Sequence, residues 1–152
     1  MLKTSVELNK TFIHLLPIPT FGNLSPDECV NIFKDGRPFS HFIEKWLEKN
    51  YPLNHITGCK DHDFIDRVFP ETKYDEKTFT SKGCAFVPSN MLGQGRSFNA
   101  EVFKEKSSKL IYCIVSNVNF PEIKIKFVNG AELAEEYPKG KIPLKDHVKF
   151  FN

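Results

Sequence analysis

The sequence predicts an α/β fold, a mixed central β-sheet flanked by helices, with elements in the order helix, strand, strand, strand, helix, strand. Three observations predict it. Apolar side chains recur at helical spacing from Phe39 to Leu47. Two strand-forming arms, DFIDRV and KYDEKTFT, flank a short turn that carries proline. Further on, the continuous apolar run LIYCIVSNV is followed by the alternating run PEIKIKFV. A helix with one apolar stripe, a hairpin, a buried central strand and a half-exposed strand are the parts of a layered α/β domain.

The elements follow in chain order. TFIHLLPIP is apolar but holds two prolines, which suits an edge strand. His14 within it reads as a packing or surface histidine. Ser25-Pro26-Asp27-Glu28 is a helix start, with Ser25 as N-cap, proline at the first helical position and acids in the first turn. Asp35-Gly36 ends that helix. Phe39, Phe42, Ile43, Trp46 and Leu47 fall at i, i+3, i+4, i+7 and i+8 and give the next helix one apolar face, closed by Asn50 and Pro52. LNHITG reads as a strand leading into the hairpin. SKGCAFVPSNMLGQGRSFN holds three glycines and a proline and reads as a long loop with a short strand from Cys84 to Val87. Ser97 or Asn99 caps the helix AEVFKEKSSK. After the two strands come a short helix (NGAELAEEY), a basic turn at Lys139-Gly140-Lys141, and a tail whose Phe150 and Phe151 pack on the core. In the alternating strand, Lys124 and Lys126 are expected outward.

Composition bounds the function classes. A chain of 152 residues fits one domain spanning 1–152. Its 40% hydrophobic and 26% charged residues suit a soluble globular protein, and 15 phenylalanines supply one core. The net charge of +2 neither demands nor excludes a nucleic-acid partner, which would need local clustering of the 21 Lys and Arg. The four cysteines (Cys29, Cys59, Cys84, Cys113) are far apart and form no CxxC pair, so a zinc ribbon or disulfide framework is not expected. The first residues lack a basic region leading into a long apolar run, and no run approaches ~20 apolar residues, so neither a signal peptide nor a membrane span is expected, and the expectation is a cytoplasmic protein with no membrane partner.

The chemistry concentrates between Gly58 and Thr80. The stretch holds Asp61, Asp63 and Asp66, a turn at Phe69-Pro70-Glu71-Thr72, and the tripeptide Asp75-Glu76-Lys77. A hairpin sets its arms side by side, so Asp63 or Asp66 can approach Asp75. Lys77 shares a strand face with Asp75, two residues before it. Two carboxylates can hold a hard divalent ion such as Mg²⁺, which keeps waters and takes phosphate oxygens as further ligands. The ion polarises a phosphate and acidifies a water, and a lysine beside it can orient that water or stabilise charge. The plainer reading of the same residues is a solvated hairpin of mixed charge. His62, among the carboxylates, and His55 read as hydrogen-bonded or exposed histidines.

The long loop carries residue types that suit DNA. Ser89, Asn90, Gln94 and Arg96, with Lys82, can meet phosphates and base edges, since Arg reads guanine and Asn or Gln reads adenine. Gly93 and Gly95 would let backbone approach a ligand closely. GQGR is not a dinucleotide fingerprint, because the third glycine and the strand–helix setting are missing.

The segment resembles the PD-(D/E)xK nuclease superfamily, which includes many type II restriction endonucleases. Asp75-Glu76-Lys77 stands as the D-x-K, and Asp63, followed by Phe64, as the lone acid, with Asp66 the other candidate. HDF followed by YDEKTFT also resembles the methyl-directed mismatch-repair nicking enzymes and their restriction relatives, in which a threonine follows the lysine as Thr78 does here. No proline precedes Asp63. Glu122-Ile123-Lys124 is a rival E-x-K, set aside because no acidic hairpin precedes it. The resemblance covers roughly Phe39 to Val118 and implies a restriction-endonuclease-like core. It implies metal ligation by Asp63 (or Asp66), Asp75 and the backbone carbonyl of Glu76, a water-orienting Lys77, and a helix glutamate, Glu44, completing the acidic cluster. The function expected is Mg²⁺-dependent type II restriction cleavage of double-stranded DNA at a short sequence, by a homodimer that matches a twofold site. A repair nicking or toxin nuclease of the same fold, or a non-catalytic immunity or regulatory module, are the alternatives.

Overall fold

The computed structural model describes residues 3–18, 20–58, 62–88 and 97–152. Its order is β1 (Thr11–Leu15), α1 (Pro26–Lys34), α2 (Gly36–Asn50), β2 (Leu53–His55), β3 (Phe64–Asp66), β4 (Lys73–Phe79), β5 (Cys84–Ala85), α3 (Ala100–Ser108), β6 (Ile111–Ser116), β7 (Glu122–Asn129), α4 (Gly130–Glu136), β8 (Lys141–Ile142) and α5 (His147–Phe150). The expected run of helix, three strands, helix and strand is present as α2-β2-β3-β4-α3-β6, interrupted only by the short β5.

Six strands form one mixed sheet in the order β1-β7-β6-β4-β3-β2. All neighbours are antiparallel except β4 and β6, which run parallel with Asp75 opposite Tyr112 and Lys77 opposite Ile114. A parallel pair needs a long crossover, supplied here by the chain between Thr80 and Leu110 with α3 in it. β6 is central, as its continuous apolar run requires, and β1 lies at an edge, as its prolines require.

Each sheet face has its own core. Phe39, Ile43 and Leu47 of α2 are fully buried against Tyr74, Cys113, Val115, Ile125 and Phe127. On the opposite face Phe79, Tyr112 and Ile114 pack with Phe86, Phe103, Phe150 and Phe151. His14 packs as expected: its ring meets Trp46 edge-on and its Nε2 lies 2.9 Å from the Tyr51 hydroxyl. Cys29, Cys84 and Cys113 are free and buried. Among the described residues no helix is long and apolar enough to cross a membrane.

Helix starts follow the local sequence. Ser25 caps α1 in a capping box with Glu28, Asp35 caps α2, and Asn99 rather than Ser97 caps α3. Two expectations change. Lys141 leaves the basic turn to enter β8, paired with Ala85. Lys126 is not an outward solvated lysine: its ammonium donates to the Phe150 carbonyl at 2.6 Å and lies over the Phe150 ring. The C-terminal segment covers that part of β7, which strand alternation cannot foretell.

Gly130 marks the tightest contact between helices. A Cβ there would stand 1.9 Å from the Ser107 carbonyl oxygen and 2.7 Å from that of Leu110, both backbone atoms. Gly130→Ala must push α3 and α4 apart. It should cost about 3 kcal/mol or more in denaturant unfolding, at the upper end of overpacking penalties.

Candidate functional site: an acidic pair and a lysine at a strand edge

β3 is only three residues long and pairs with β4 only at Phe64↔Tyr74 and Ile65↔Lys73. The Phe69–Thr72 turn closes the hairpin, with Thr72 N–H donating to the Phe69 carbonyl at 2.9 Å. Past Tyr74, the edge of β4 turned away from β6 has no strand partner among the described residues, and Asp63 sits at that point. Its backbone N–H donates to the Tyr74 carbonyl, and its carboxylate accepts the Glu76 N–H at 2.9 Å. In a strand, a residue's N–H and C=O leave on the same side, so the Glu76 carbonyl also faces this edge beside Asp63.

Asp63 lies close enough to act on the Asp75 carboxyl, and Lys77 Nζ lies 3.3 Å from Asp75 Oδ2. Burial pushes the Asp75 carboxyl up to about 7; Lys77 opposes this and Asp63 adds to it. The side chains of Lys77 and Asp75 are 22% and 15% exposed, so the pair is shielded yet reachable. Two carboxyls and an ammonium thus stand close together just before β3 begins, the arrangement the hairpin and the i, i+2 spacing imply.

Asp66 does not belong to this group. Three residues from Asp63, it points to the other face of the sheet. There its carboxylate accepts the N–H groups of Val68 and Phe69 at 2.9 and 3.0 Å and the Tyr74 hydroxyl at 2.9 Å. Burial works to raise its pKa, but these donors outweigh it and hold the carboxyl below its ordinary value. A carboxyl whose folded pKa is depressed contributes stability above its unfolded pKa and loses it as pH falls through the folded value. Asp66→Ala should therefore cost about 3 kcal/mol at neutral pH, where it strands the buried Tyr74 hydroxyl and two turn amides. The deficit should shrink on acidification below the ordinary aspartate range, as read in urea unfolding across pH.

Glu44 and Glu76 adjoin the pair. Glu44 Oε2 lies 3.3 Å from His55 Nε2. Its pKa is raised by burial first and then by Asp63, against the pull of His55 and His41. Glu44 thus feels Asp63 but is engaged with His55. The Glu76 side chain turns to the α2 face, 7% exposed, and takes a hydrogen bond from the Thr78 hydroxyl at 3.0 Å. Burial drives its pKa well up. Thr78 Oγ1 also lies 3.2 Å from Ser40 Oγ, which ties α2 to the strand bearing Asp75 and Lys77.

Of the expected DNA-contacting residues, Ser89, Asn90, Gln94 and Arg96 lie outside the described residues, as do Asp61 and Cys59. Lys82 is exposed in the turn after β4, its N–H bonded to Thr80 Oγ1. Thr78 lies within β4, as the strand-forming arm KYDEKTFT implies. The sequence reading missed the Glu44–His55 pair and the Ser40–Thr78 link. It also missed the position of Arg37 and His41, which line a groove with Lys77. Their four-residue spacing on the polar side of α2 was the available signal.

The donors fit a hard cation. Among the described residues no group of three His, Cys, Asp or Glu side chains gathers to hold a metal. Mg²⁺ does not need one, since one or two carboxylates with waters and phosphate oxygens suffice. Asp63 and Asp75, with the Glu76 carbonyl, present only oxygen. A half-buried carboxyl pair with a single ammonium also gains from added positive charge. No protein-family model, curated protein or solved structure matches the chain.

Proposed function

We propose that the protein is a Mg²⁺-dependent endonuclease of the PD-(D/E)xK type, most simply a small type II restriction endonuclease acting on double-stranded DNA as a homodimer. One observation carries this reading: Asp63, bonded to the Glu76 N–H, stands beside Asp75 at the edge of β4, with Lys77 Nζ 3.3 Å from Asp75. The order α2-β2-β3-β4-α3-β6 supports a restriction-endonuclease-like core around it.

Asp63 and Asp75 would hold Mg²⁺ with the Glu76 carbonyl. The bound ion supplies charge neutralisation at the scissile phosphate and lowers the pKa of a water. Lys77 orients the attacking water and offsets charge that builds on the phosphate. Asp63, fixed by the Glu76 N–H, keeps its carboxylate aimed at Asp75 rather than at solvent. The Ser40–Thr78 bond holds α2 against the reacting strand.

The test is incubation of the purified protein with unmethylated phage DNA, in Mg²⁺ and in EDTA. Discrete bands that need Mg²⁺ are expected. A smear would move the assignment to a non-specific or toxin nuclease. Intact DNA in every lane, repeated with methylated DNA and with RNA, would overturn the nuclease reading in favour of a non-catalytic binding module.

A further inference from the structure

The start of α2 and the last residues of β4 bound an open groove of about 600 Å³, lined by Arg37, Ser40, His41, Lys77, Thr78 and Thr80. Arg37 and His41 are exposed and four residues apart, so they stand on one face of α2. Exposed Lys45, four residues further, continues the row. The hydroxyls of Ser40 and Thr78 lie 3.2 Å apart between helix and strand. The helix start lies close to the end of the strand: a Cβ at Gly36 would meet Thr80 Cγ2 at 3.4 Å.

Two acids also line the groove, and both are engaged. The Asp35 carboxylate accepts the Arg37 N–H at the head of α2. The Glu76 carboxyl is 7% exposed and takes the Thr78 hydroxyl. The groove therefore presents cations and hydroxyls. Lys77 belongs both to it and to the acidic pair, so a polyanion with one phosphate at the pair runs on into the groove.

Resting on the nuclease reading above, we propose that this groove is the track for the sugar–phosphate backbone next to the scissile phosphate, with Arg37 and His41 as phosphate contacts. Such contacts position the duplex and carry no sequence information, so they show in salt dependence. The Arg37 side chain is exposed and only its backbone N–H serves the helix cap, so Arg37→Ala leaves the fold intact.

The test is binding of a fluorescein-labelled DNA duplex to the full chain, titrated with salt, with Ca²⁺ replacing Mg²⁺ to hold back cleavage. Arg37→Ala should lower the slope of log K against log salt by about 0.9, the share of one phosphate contact. Its loss in Mg²⁺ cleavage should fall on KM. Lys10→Ala, a cation paired with Glu7 away from the groove, should match wild type. An unchanged slope and KM in Arg37→Ala, with wild type still cleaving, would overturn the groove and leave the nuclease reading standing. A wild type that neither binds nor cleaves duplex would overturn both.

Discussion

Lys77→Ala is expected to lower DNA cleavage about 10²–10³-fold while duplex binding persists, the loss typical of removing one preorganised electrostatic group. The reason lies in where the ammonium is held. Lys77 Nζ is 3.3 Å from Asp75 Oδ2 and mostly shielded, at 22% exposure. A charge fixed in a partly dry site costs no reorganisation at the moment of reaction. The loss should appear in single-turnover rates at saturating duplex, not in the binding isotherm. A variant that cleaves at the wild-type rate would remove Lys77 from the chemistry.

Asp75→Asn should separate stability from activity. Cleavage should fall about 10³-fold or more, because loss of a ligand to the proposed Mg²⁺ would forfeit several kcal/mol of charge stabilisation, at about 1.4 kcal/mol per tenfold. Metal-free stability should move the other way. Burial raises the Asp75 carboxyl to about 7, with Asp63 beside it and only Lys77 opposing. A carboxyl with a raised folded pKa binds more protons folded than unfolded, so stability falls as pH climbs from the ordinary aspartate range to about 7 and then levels. Asn bears no such cost. In EDTA at alkaline pH the variant should be more stable by about 1–2 kcal/mol, the usual exchange of stability for function. The two proteins should converge in acid. Equal pH profiles in urea unfolding would show that the half-buried pair is not strained.

The α2 stripe, the edge placement of β1 and the central β6 were legible because each follows from local periodicity or proline content. The acidic hairpin was legible for the same reason. The choice between Asp63 and Asp66 was not, because it depends on register. A one-residue slip exchanges the faces, and only the Phe64↔Tyr74 pairing sends Asp66 to Tyr74 and Asp63 to Asp75. Contacts between distant segments were equally hidden: the Glu44–His55 pair, the Ser40–Thr78 bond, and Lys126 capping the Phe150 carbonyl. β8 has two residues, too few to carry a period.

The central claim is that Asp63 and Asp75 hold a hard divalent ion. Mn²⁺, which favours the same oxygen donors, reports binding through enhanced relaxation of its water protons. Wild type should enhance relaxation, Mg²⁺ should compete it away, and Asp63→Ala and Asp75→Asn should each abolish it while Asp66→Ala keeps it. Enhancement that survives loss of both Asp63 and Asp75, or none in the wild type with and without duplex, would contradict the metal site and the hydrolytic role built on it.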